Sequence, residues 1–492
     1  MDSNDRRNGF SSEDLYRMLP SVNDLIQVED IRVLLHRRSH EAVVNAIRSI
    51  LDGLREEIAA GIHTTSRLKQ HLEALPISIA DELSRAFPFS LRPVINATGV
   101  ILHTNLGRAP LSKTALDHMV HVAGGYSNLE LDLESGERGT RDVHVERLIL
   151  GLIGSKAAVG NLTDTHRAIV VNNCAAATFL ALHALASGKE VIVSRGELVE
   201  IGGGFRIPEI LKASGALLKE VGTTNRTRLV DYEDAISTNT GLILRVHQSN
   251  FSMEGFVARP ALAELVAVGG RAQVPVFEDQ GTGLMDALEP YGVQGEATLI
   301  DSVASGCDLV AASGDKLLGG PQCGILVGRK DLVERIRRNP LFRVLRVDKL
   351  TYAALEATLA DYLSDSPELI PTVRMLRAES HEIKTRCERI VSQLNEPGLD
   401  VDVVSVQSLI GGGAAPRATL QSYALSLRHS SLGANSLLLA LRRLDPPVIG
   451  RISDDRVLLD LRTVDPESDA FLVRILNDRL LVEPIPVAAK ER

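Results

Sequence analysis

The sequence has few of the cysteines and none of the long apolar runs that are typical of disulfide-bonded, zinc-binding and membrane proteins. Its 492 residues include only four cysteines, at positions 174, 307, 323 and 387, and no two of them form a C-x-x-C pair. This argues against a disulfide framework and a structural zinc site, so we predict no metal and a reducing cytoplasm. No stretch approaches 18 uninterrupted apolar residues, which predicts no membrane span. The polar N-terminus has no apolar segment after it, which predicts no signal peptide.

Aromatic residues and basic charge are also scarce. Tryptophan is absent and aromatic residues make up 3 %, whereas hydrophobic residues make up 44 %, so the core must be aliphatic. The formal net charge of −9 disfavours non-specific nucleic-acid binding by the whole molecule. It does not exclude a local basic surface. The length exceeds one ordinary domain and predicts two or three.

Three regions differ in their patterns. Residues 1–90 predict a small helical domain, in which a helix begins after Ser39 and buries a stripe that includes Val43, Ile47 and Ile50. This domain is a candidate for an oligomer arm or a binding module. Residues 91–364 alternate short apolar strands with helices of about ten residues, which predicts a mostly parallel α/β sheet. Residues 365–492 predict a second, smaller α/β domain with no chemistry of its own.

Polar clusters follow four of the predicted strands, at residues 172–178, 247–250, 279–283 and 313–316. In a parallel α/β sheet the ligand binds at the carboxyl ends of the strands. These four clusters should therefore meet at one edge of the sheet and form one site.

Lys316 is the residue around which this site is organised. It lies among small residues after the apolar strand 308–312, and its amine is predicted to form a Schiff base with pyridoxal phosphate (PLP). Asp279 ends a buried strand and supplies the carboxylate that keeps the pyridine nitrogen protonated. The other interpretation is an α/β enzyme in which Asp279 is only a strand-end hydrogen-bonding residue and Lys316 lies on the surface.

An anion site is predicted where the strand 168–171 runs into a helix. Backbone N–H groups and the helix dipole at such a junction bind phosphate, and small side chains let it approach the backbone. Close helix–sheet packing would use the same small residues. The predicted cofactor phosphate ligands are Asn173, Cys174, Ala175 and Ala176.

Three arginines are candidates for a second anion. Arg108 lies between Gly107 and Ala109, and guanidinium is a fixed planar donor. Arg343 and Arg346 are three residues apart, on one face if the segment is helical, and paired arginines suit a tetrahedral oxyanion. A surface salt bridge for Arg108 and a solvated basic helix for the other two are the open alternatives.

Taken together, the motifs resemble those of the bacterial L-seryl-tRNA(Sec) selenium transferase (selenocysteine synthase) family nearly end to end. The matching segments are 19–23 (LPSVN), 95–99 (INATG), 103–108 (HTNLGR), 171–173 (VNN), 195–202 (RGELVEIG), 222–227 (GTTNRT), 249–251 (SNF), 314–322 (GDKLLGGPQ) and 343–349 (RVLRVDK). Residues 160–167 depart from the family pattern and resemble an insertion.

The resemblance implies a fold-type I PLP enzyme. Seryl-tRNA(Sec) would lose the serine hydroxyl, and selenophosphate would deliver selenium to the aminoacrylyl intermediate. Lys316 would hold PLP and Asp279 would face the pyridine nitrogen. The resemblance further implies a homo-oligomer, a decamer, whose N-terminal domain grips the tRNA. The resemblance also implies that Arg108, Arg343 and Arg346 lie near the selenium donor and that Asn250 binds substrate.

Two other functions stay open at this point. One is a PLP lyase acting on a small amino acid or an amino sugar phosphate, which would not need residues 10–90. The other is a catalytically idle tRNA-binding or scaffold relative, against which the presence of both Lys316 and Asp279 argues.

Overall fold

The computed structural model describes residues 12–37, 39–61, 64–86, 89–157, 161–201, 204–248, 251, 253–293, 295–411 and 413–477. The chain divides into two compact units, Met1–Pro93 and Val94–Arg492. The second unit contains all the strands named below. The predicted further division at residue 364 stays a prediction.

The first unit is helical in its described part. Helix α4 is the longest, and Ser39 caps it by accepting a hydrogen bond from the Ala42 N–H at 3.2 Å. Its residues Val43 and Ile47 are fully buried as predicted, whereas Ile50 is half-buried. The helices are α1 (Ser12–Met18), α2 (Val22–Ile26), α3 (Glu29–Arg37), α4 (His40–Ala59), α5 (Thr65–Glu73) and α6 (Leu75–Ala86).

The second unit alternates strands with helices over its first half, as the sequence predicts. The strands are β1 (Ile95–Asn96), β2 (His166–Val171), β3 (Glu190–Ser194), β4 (Glu200–Ile201), β5 (Phe205–Arg206), β6 (Leu217–Val221), β7 (Thr240–Val246), β8 (Val276–Asp279), β9 (Leu309–Ser313), β10 (Gly324–Arg329), β11 (Leu399–Gly411), β12 (Ala415–His429), β13 (Val448–Ile449), β14 (Arg451–Ser453) and β15 (Arg456–Asp460).

The helices of this unit cover its sheets. They are α7 (Lys113–Ala123), α8 (Val143–Lys156), α9 (Cys174–Ala186), α10 (Ile207–Ser214), α11 (Leu229–Ala235), α12 (Leu262–Ala272), α13 (Leu299–Ala304), α14 (Lys330–Arg337), α15 (Pro340–Leu345), α16 (Lys349–Leu363), α17 (Pro371–Arg377), α18 (Ser380–Val391), α19 (Ala434–Arg442) and α20 (Asp469–Leu476).

A seven-stranded sheet in the order β2-β10-β9-β8-β7-β3-β6 forms the centre of the unit. All its neighbours pair in parallel except β10, which is antiparallel to both β2 and β9. Alternate residues of β7 enter opposite cores: Ile243 packs in the core that includes α8 and α16, whereas Leu242 and Leu244 pack against α9 and α10. Both faces of the sheet are therefore buried, which explains the continuous apolar runs.

A smaller antiparallel sheet in the order β11-β12-β15-β14 packs against α18, α19 and α20. Strands β14 and β15 form a hairpin, whereas residues 448–449 pair in parallel with β1. The buried Asp460 accepts hydrogen bonds from Ser408 and Ser422 at 2.7 and 2.8 Å. It also lies so close to Gly99 that a Cβ there would be 2.1 Å from its Oδ2. This contact fixes the start of the segment that leads to Arg108.

Candidate active site

Four segments reach the same edge of the central sheet. Because β2, β7, β8 and β9 run in the same direction, their carboxyl ends meet there. Asp279 ends β8, His247 follows β7, and Lys316 lies three residues after the end of β9. The fourth segment is the start of α9 at Cys174, after β2. The predicted convergence of the strand-end clusters is thus present in the fold.

A cleft of about 420 Å³ opens between these segments; we call it the Lys316 cleft. The residues that carry its chemistry are Arg108, Asn173, Cys174, His247, Asp279, Asp315 and Lys316. Lys316 and Asp279 are only 7 % and 5 % exposed. A methyl group placed on Gly281 would lie 3.6 Å from Asp279 Oδ1 and 3.9 Å from Lys316 Nζ, so the amine and the carboxylate face the same small space.

A hydrogen bond positions the Lys316 side chain, and close packing positions the loop before it. Its Nζ donates a hydrogen bond to the Gly413 carbonyl at 3.0 Å, from the turn between β11 and β12. The loop before it needs glycine, since a Cβ on Gly314 would lie 2.4 Å from Cys323 Sγ. Burial lowers the pKa of the Lys316 amine, against the opposing influence of the Asp279 carboxylate. A lowered pKa raises the share of neutral amine, which is the nucleophilic form.

Asp279 is oriented by two donors from the first turns of α9. Thr178 Oγ1 donates to Oδ2 at 2.9 Å, and Cys174 Sγ donates to Oδ1 at 3.4 Å. Burial raises the pKa of this carboxyl group, and both hydrogen bonds oppose that rise. A buried carboxylate held in this way is suited to pair with a protonated ring nitrogen.

The N-terminus of α9 provides the predicted anion cradle in part. Asn173 is the N-cap, and its side chain accepts a hydrogen bond from the Ala176 N–H at 2.8 Å. That N–H is therefore occupied, whereas Cys174 and Ala175 line the cleft. Strand β10 passes directly beside this turn, because a Cβ on Gly324 would lie 2.1 Å from the Asn173 carbonyl oxygen. We expect the phosphate to meet Cys174 and Ala175 rather than Ala176.

Arg108 lies at the cleft, at the end of the segment that starts near Gly99. Its Nη1 donates to Asp315 Oδ2 at 2.7 Å, and the Ala109 N–H donates to the Asp315 carbonyl at 3.3 Å. Its backbone has φ 64°, in the left-handed region that residues other than glycine rarely adopt. The alternative of a salt bridge is thus realised, but beside Lys316 and not on a remote surface.

The other two predicted arginines do not line the Lys316 cleft. Helix α15 ends at Leu345, and Arg346 has an extended backbone that bridges to Val171. Arg346 therefore lies outside the helix, and the condition under which Arg343 and Arg346 would share a helix face is not met. Arg343 is exposed, and Arg346 pairs with Glu130 at 3.4 Å. Asn250 lies outside the described residues.

Sequence reasoning missed His247 as a cleft residue. Its Nε2 lies 3.0 Å from Glu296 Oε2, and its backbone N–H donates to the Asp279 carbonyl at 3.0 Å. The only signal for it was the polar cluster after β7. Nothing in the sequence signalled Gly413, which comes from a distant hairpin.

These residues fit pyridoxal phosphate. A buried lysine amine suits its aldehyde, Asp279 suits its ring nitrogen, and the N–H groups at the start of α9 suit its phosphate. No group of three or more His, Cys, Asp or Glu side chains in the described ranges is arranged to hold a metal ion. Nor does any helix described above combine the length and the apolarity that a membrane crossing requires.

Comparison with known proteins identifies the family. Residues 94–465 match the family described as L-seryl-tRNA selenium transferase, and residues 16–55 match the selenocysteine synthase N-terminal family. The L-seryl-tRNA(Sec) selenium transferase of Geobacter metallireducens is 45 % identical over 468 residues, which are 94 % of this chain and 99 % of that protein. The enzyme of that name from Aquifex aeolicus is 41 % identical over 470 residues, covering 95 % and 99 %.

A solved structure supports the fold class. D-Glucosaminate-6-phosphate ammonia-lyase superposes with a TM-score of 0.52 at 19 % identity, covering 80 % of this chain and 96 % of the other. The mostly parallel sheet with a smaller C-terminal sheet is the predicted fold type I, and that prediction is confirmed. The sequence matches cover both the N-terminal helices and the second unit. The chain therefore belongs to the L-seryl-tRNA selenium transferase family.

Proposed function

We propose that this protein converts L-seryl-tRNA(Sec) to L-selenocysteinyl-tRNA(Sec) with pyridoxal phosphate as cofactor and selenophosphate as selenium donor. The observation that carries the proposal is the meeting of Lys316, Asp279 and the α9 N-terminus in one cleft of a chain that matches the family over residues 94–465. The family match alone would not indicate that the amine, the carboxylate and the helix N-terminus lie together in this chain.

Replacing a serine hydroxyl by selenium requires removal of the α-proton and loss of the Cβ hydroxyl as water. The donor selenium then adds to Cβ while Cα regains a proton, and hydrolysis of the donor's Se–P bond releases phosphate and leaves the selenol. The cofactor supplies an electron sink for the charge left when the α-proton departs. Lys316 is the base for that proton, since burial favours its neutral form and its amine opens into the cleft. Asp279 would keep the ring nitrogen of the cofactor protonated, because its buried carboxylate is held by Thr178 and Cys174.

Burial of these groups also controls water. Lys316, Asp279 and Asp315 are each less than a tenth exposed, so the electrostatic interactions among them are only weakly screened by solvent.

Arg108 is the best-placed group for the anionic selenium donor. Only its Nη1 is engaged by Asp315, so further guanidinium N–H groups remain to bind an oxyanion. Arg343 and Arg346 do not line the described Lys316 cleft. Their role in donor binding therefore stays a proposal that rests on the resemblance alone.

Substitution of Arg108 by alanine should raise the KM for selenophosphate about tenfold or more, because a charge-assisted hydrogen bond contributes ~1.5–3 kcal/mol. Steady-state kinetics at varied selenophosphate and saturating seryl-tRNA will measure it. Arg108→Lys, which keeps the charge, should retain part of the affinity. An unchanged KM in Arg108→Ala would remove this residue from donor binding.

The N-terminal helices are the proposed tRNA-binding domain, supported by the family match at residues 16–55. A homo-oligomer is proposed on the resemblance. Four free cysteines and a selenium nucleophile both suit a reducing cytoplasm, which is the proposed location.

The test is turnover by the purified full-length protein with seryl-tRNA(Sec), selenophosphate and pyridoxal phosphate. We expect selenocysteinyl-tRNA(Sec), detected after hydrolysis of the ester bond, and no reaction with free L-serine. Turnover of a free amino acid or an amino sugar phosphate without turnover of the charged tRNA would identify a lyase instead. No turnover of any of them, with tRNA still bound, would identify an idle relative.

A further inference from the structure

A second cavity of about 450 Å³ lies beside the Lys316 cleft. We call it the Arg259 cavity, and the lining residues that matter here are His247, Phe251, Val257, Arg259, Glu296 and Thr419. Its volume is in the range of sites that bind small ligands, ~300–1,000 Å³. The catalytic steps described above use none of these residues.

The two cavities are neighbours. His247 lines both, with its Nε2 held 3.0 Å from Glu296 Oε2. The β11–β12 hairpin also reaches both, since Gly413 accepts the hydrogen bond from Lys316 while Ala415 lines the Arg259 cavity. A ligand in the Arg259 cavity is thus separated from the reacting groups by about one side chain.

The lining combines three kinds of contact. Arg259 makes no hydrogen bond or ion pair with any described residue, so its guanidinium N–H groups are open to an anion. The Glu296 carboxylate lines the same cavity and attracts the guanidinium electrostatically, so a bound anion competes with it. Phe251 provides an aromatic ring, and Val257 adds an apolar wall. A cation, an aromatic ring and an apolar wall are what a nucleotide needs for its phosphate and its base.

We propose that the Arg259 cavity holds the 3′-terminal adenosine of the acylated tRNA, with its 5′-phosphate at Arg259 and its seryl group entering the Lys316 cleft. This rests on the proposed function. In an aminoacyl-tRNA an ester joins the amino acid directly to the terminal ribose, so the terminal nucleotide must lie immediately next to the catalytic lysine. The Arg259 cavity satisfies that requirement, and Arg259 supplies a positive charge for the phosphate beside the Glu296 carboxylate of the same lining.

Binding of two stable analogues to the PLP-loaded enzyme tests the proposal. They are 3′-deoxy-3′-(L-serylamino)adenosine with and without a 5′-phosphate, measured by isothermal titration calorimetry. Arg259→Ala should weaken binding of the phosphorylated analogue about tenfold and leave the other unchanged, because one charge-assisted contact is lost. Arg259→Glu should weaken the phosphorylated analogue further. Val257→Trp, at a position already 38 % exposed, should weaken both.

The matched control is Arg271→Ala, since Arg271 pairs with Glu233 at 2.6 Å and does not line either cavity. It should bind both analogues like the parent protein. The proposal is overturned if Arg259→Ala and Arg259→Glu bind the phosphorylated analogue with parental affinity. It is also overturned if Arg259→Ala raises the KM for selenophosphate without changing analogue binding, which would make this the donor site.

These outcomes are separable from failure of the proposed function. If the parent protein does not turn over seryl-tRNA(Sec), the proposed function fails. If it does so while the Arg259 variants keep parental turnover, KM for seryl-tRNA and analogue binding, only the assignment of the terminal adenosine fails.

Discussion

Substitution of Lys316 by alanine should lower the turnover rate of seryl-tRNA about 10³-fold or more. It should also remove the absorbance of bound cofactor at about 420 nm. The amine is 7 % exposed, has a pKa lowered by burial, and faces the same space as the Asp279 carboxylate. Its removal deletes both the attachment point of the cofactor and the base for the α-proton. Single-turnover kinetics and an absorbance spectrum of the purified variant will measure the two losses.

Lys113 offers the matched control. Its side chain is 89 % exposed and lies 3.5 Å from Asp117 on the surface of α7. Lys113→Ala should keep parental turnover and absorbance. Retention of both properties in Lys316→Ala would refute the assignment of the cofactor lysine and with it the proposed chemistry.

Substitution of Asp279 by asparagine should lower kcat about 10²-fold or more, while the absorbance of bound cofactor at about 420 nm is retained. An amide has nearly the same shape but no negative charge, so it cannot hold a proton at the ring nitrogen. The KM for seryl-tRNA should change little, because the carboxylate acts on the cofactor and not on the tRNA. Steady-state kinetics at saturating selenophosphate will separate kcat from KM.

The folding of this variant is not expected to suffer. Burial raises the pKa of Asp279, which means that the folded state disfavours the charged form relative to the unfolded chain. Stability from this group therefore falls as the pH rises through its pKa, and removing the charge should leave the Tm at neutral pH unchanged or higher. Asp286→Asn, at a half-buried carboxylate that pairs with Arg377 at 3.1 Å, should keep parental kcat. An Asp279→Asn enzyme with parental kcat would contradict the assignment.

The proximity of Lys316 and Asp279, the proposed reacting pair, was predictable because both residues follow buried strands of a parallel sheet. Apolar runs in the sequence predict where β8 and β9 lie along the chain. Because the two strands are parallel, Asp279 and Lys316 reach the same edge of the sheet for any conformation of the connecting loops. The anion cradle was predictable for the same reason, since Cys174 starts the helix after β2. The N–H of Ala176 is occupied because Asn173 is the N-cap of α9, a position at which asparagine is favoured.

The sequence could not place groups that arrive from distant parts of the chain. Spacing suggested that Arg343 and Arg346 act together, but α15 stops at Leu345 because the next backbone group pairs with β2. Gly413 reaches Lys316 only because the β11–β12 hairpin is long and antiparallel. Such contacts depend on how two sheets pack, and local periodicity carries no information about that.

The hydrogen bond between Lys316 and Gly413 links two elements 97 residues apart in the chain. Any group that bonds to Lys316 Nζ competes with the hydrogen bond that this nitrogen donates to the Gly413 carbonyl oxygen. Binding of the proposed cofactor to Lys316 would therefore be coupled to the turn between β11 and β12, and amide exchange rates of that hairpin should report whether the cofactor is bound. A fragment that ended before β11 would lose this report.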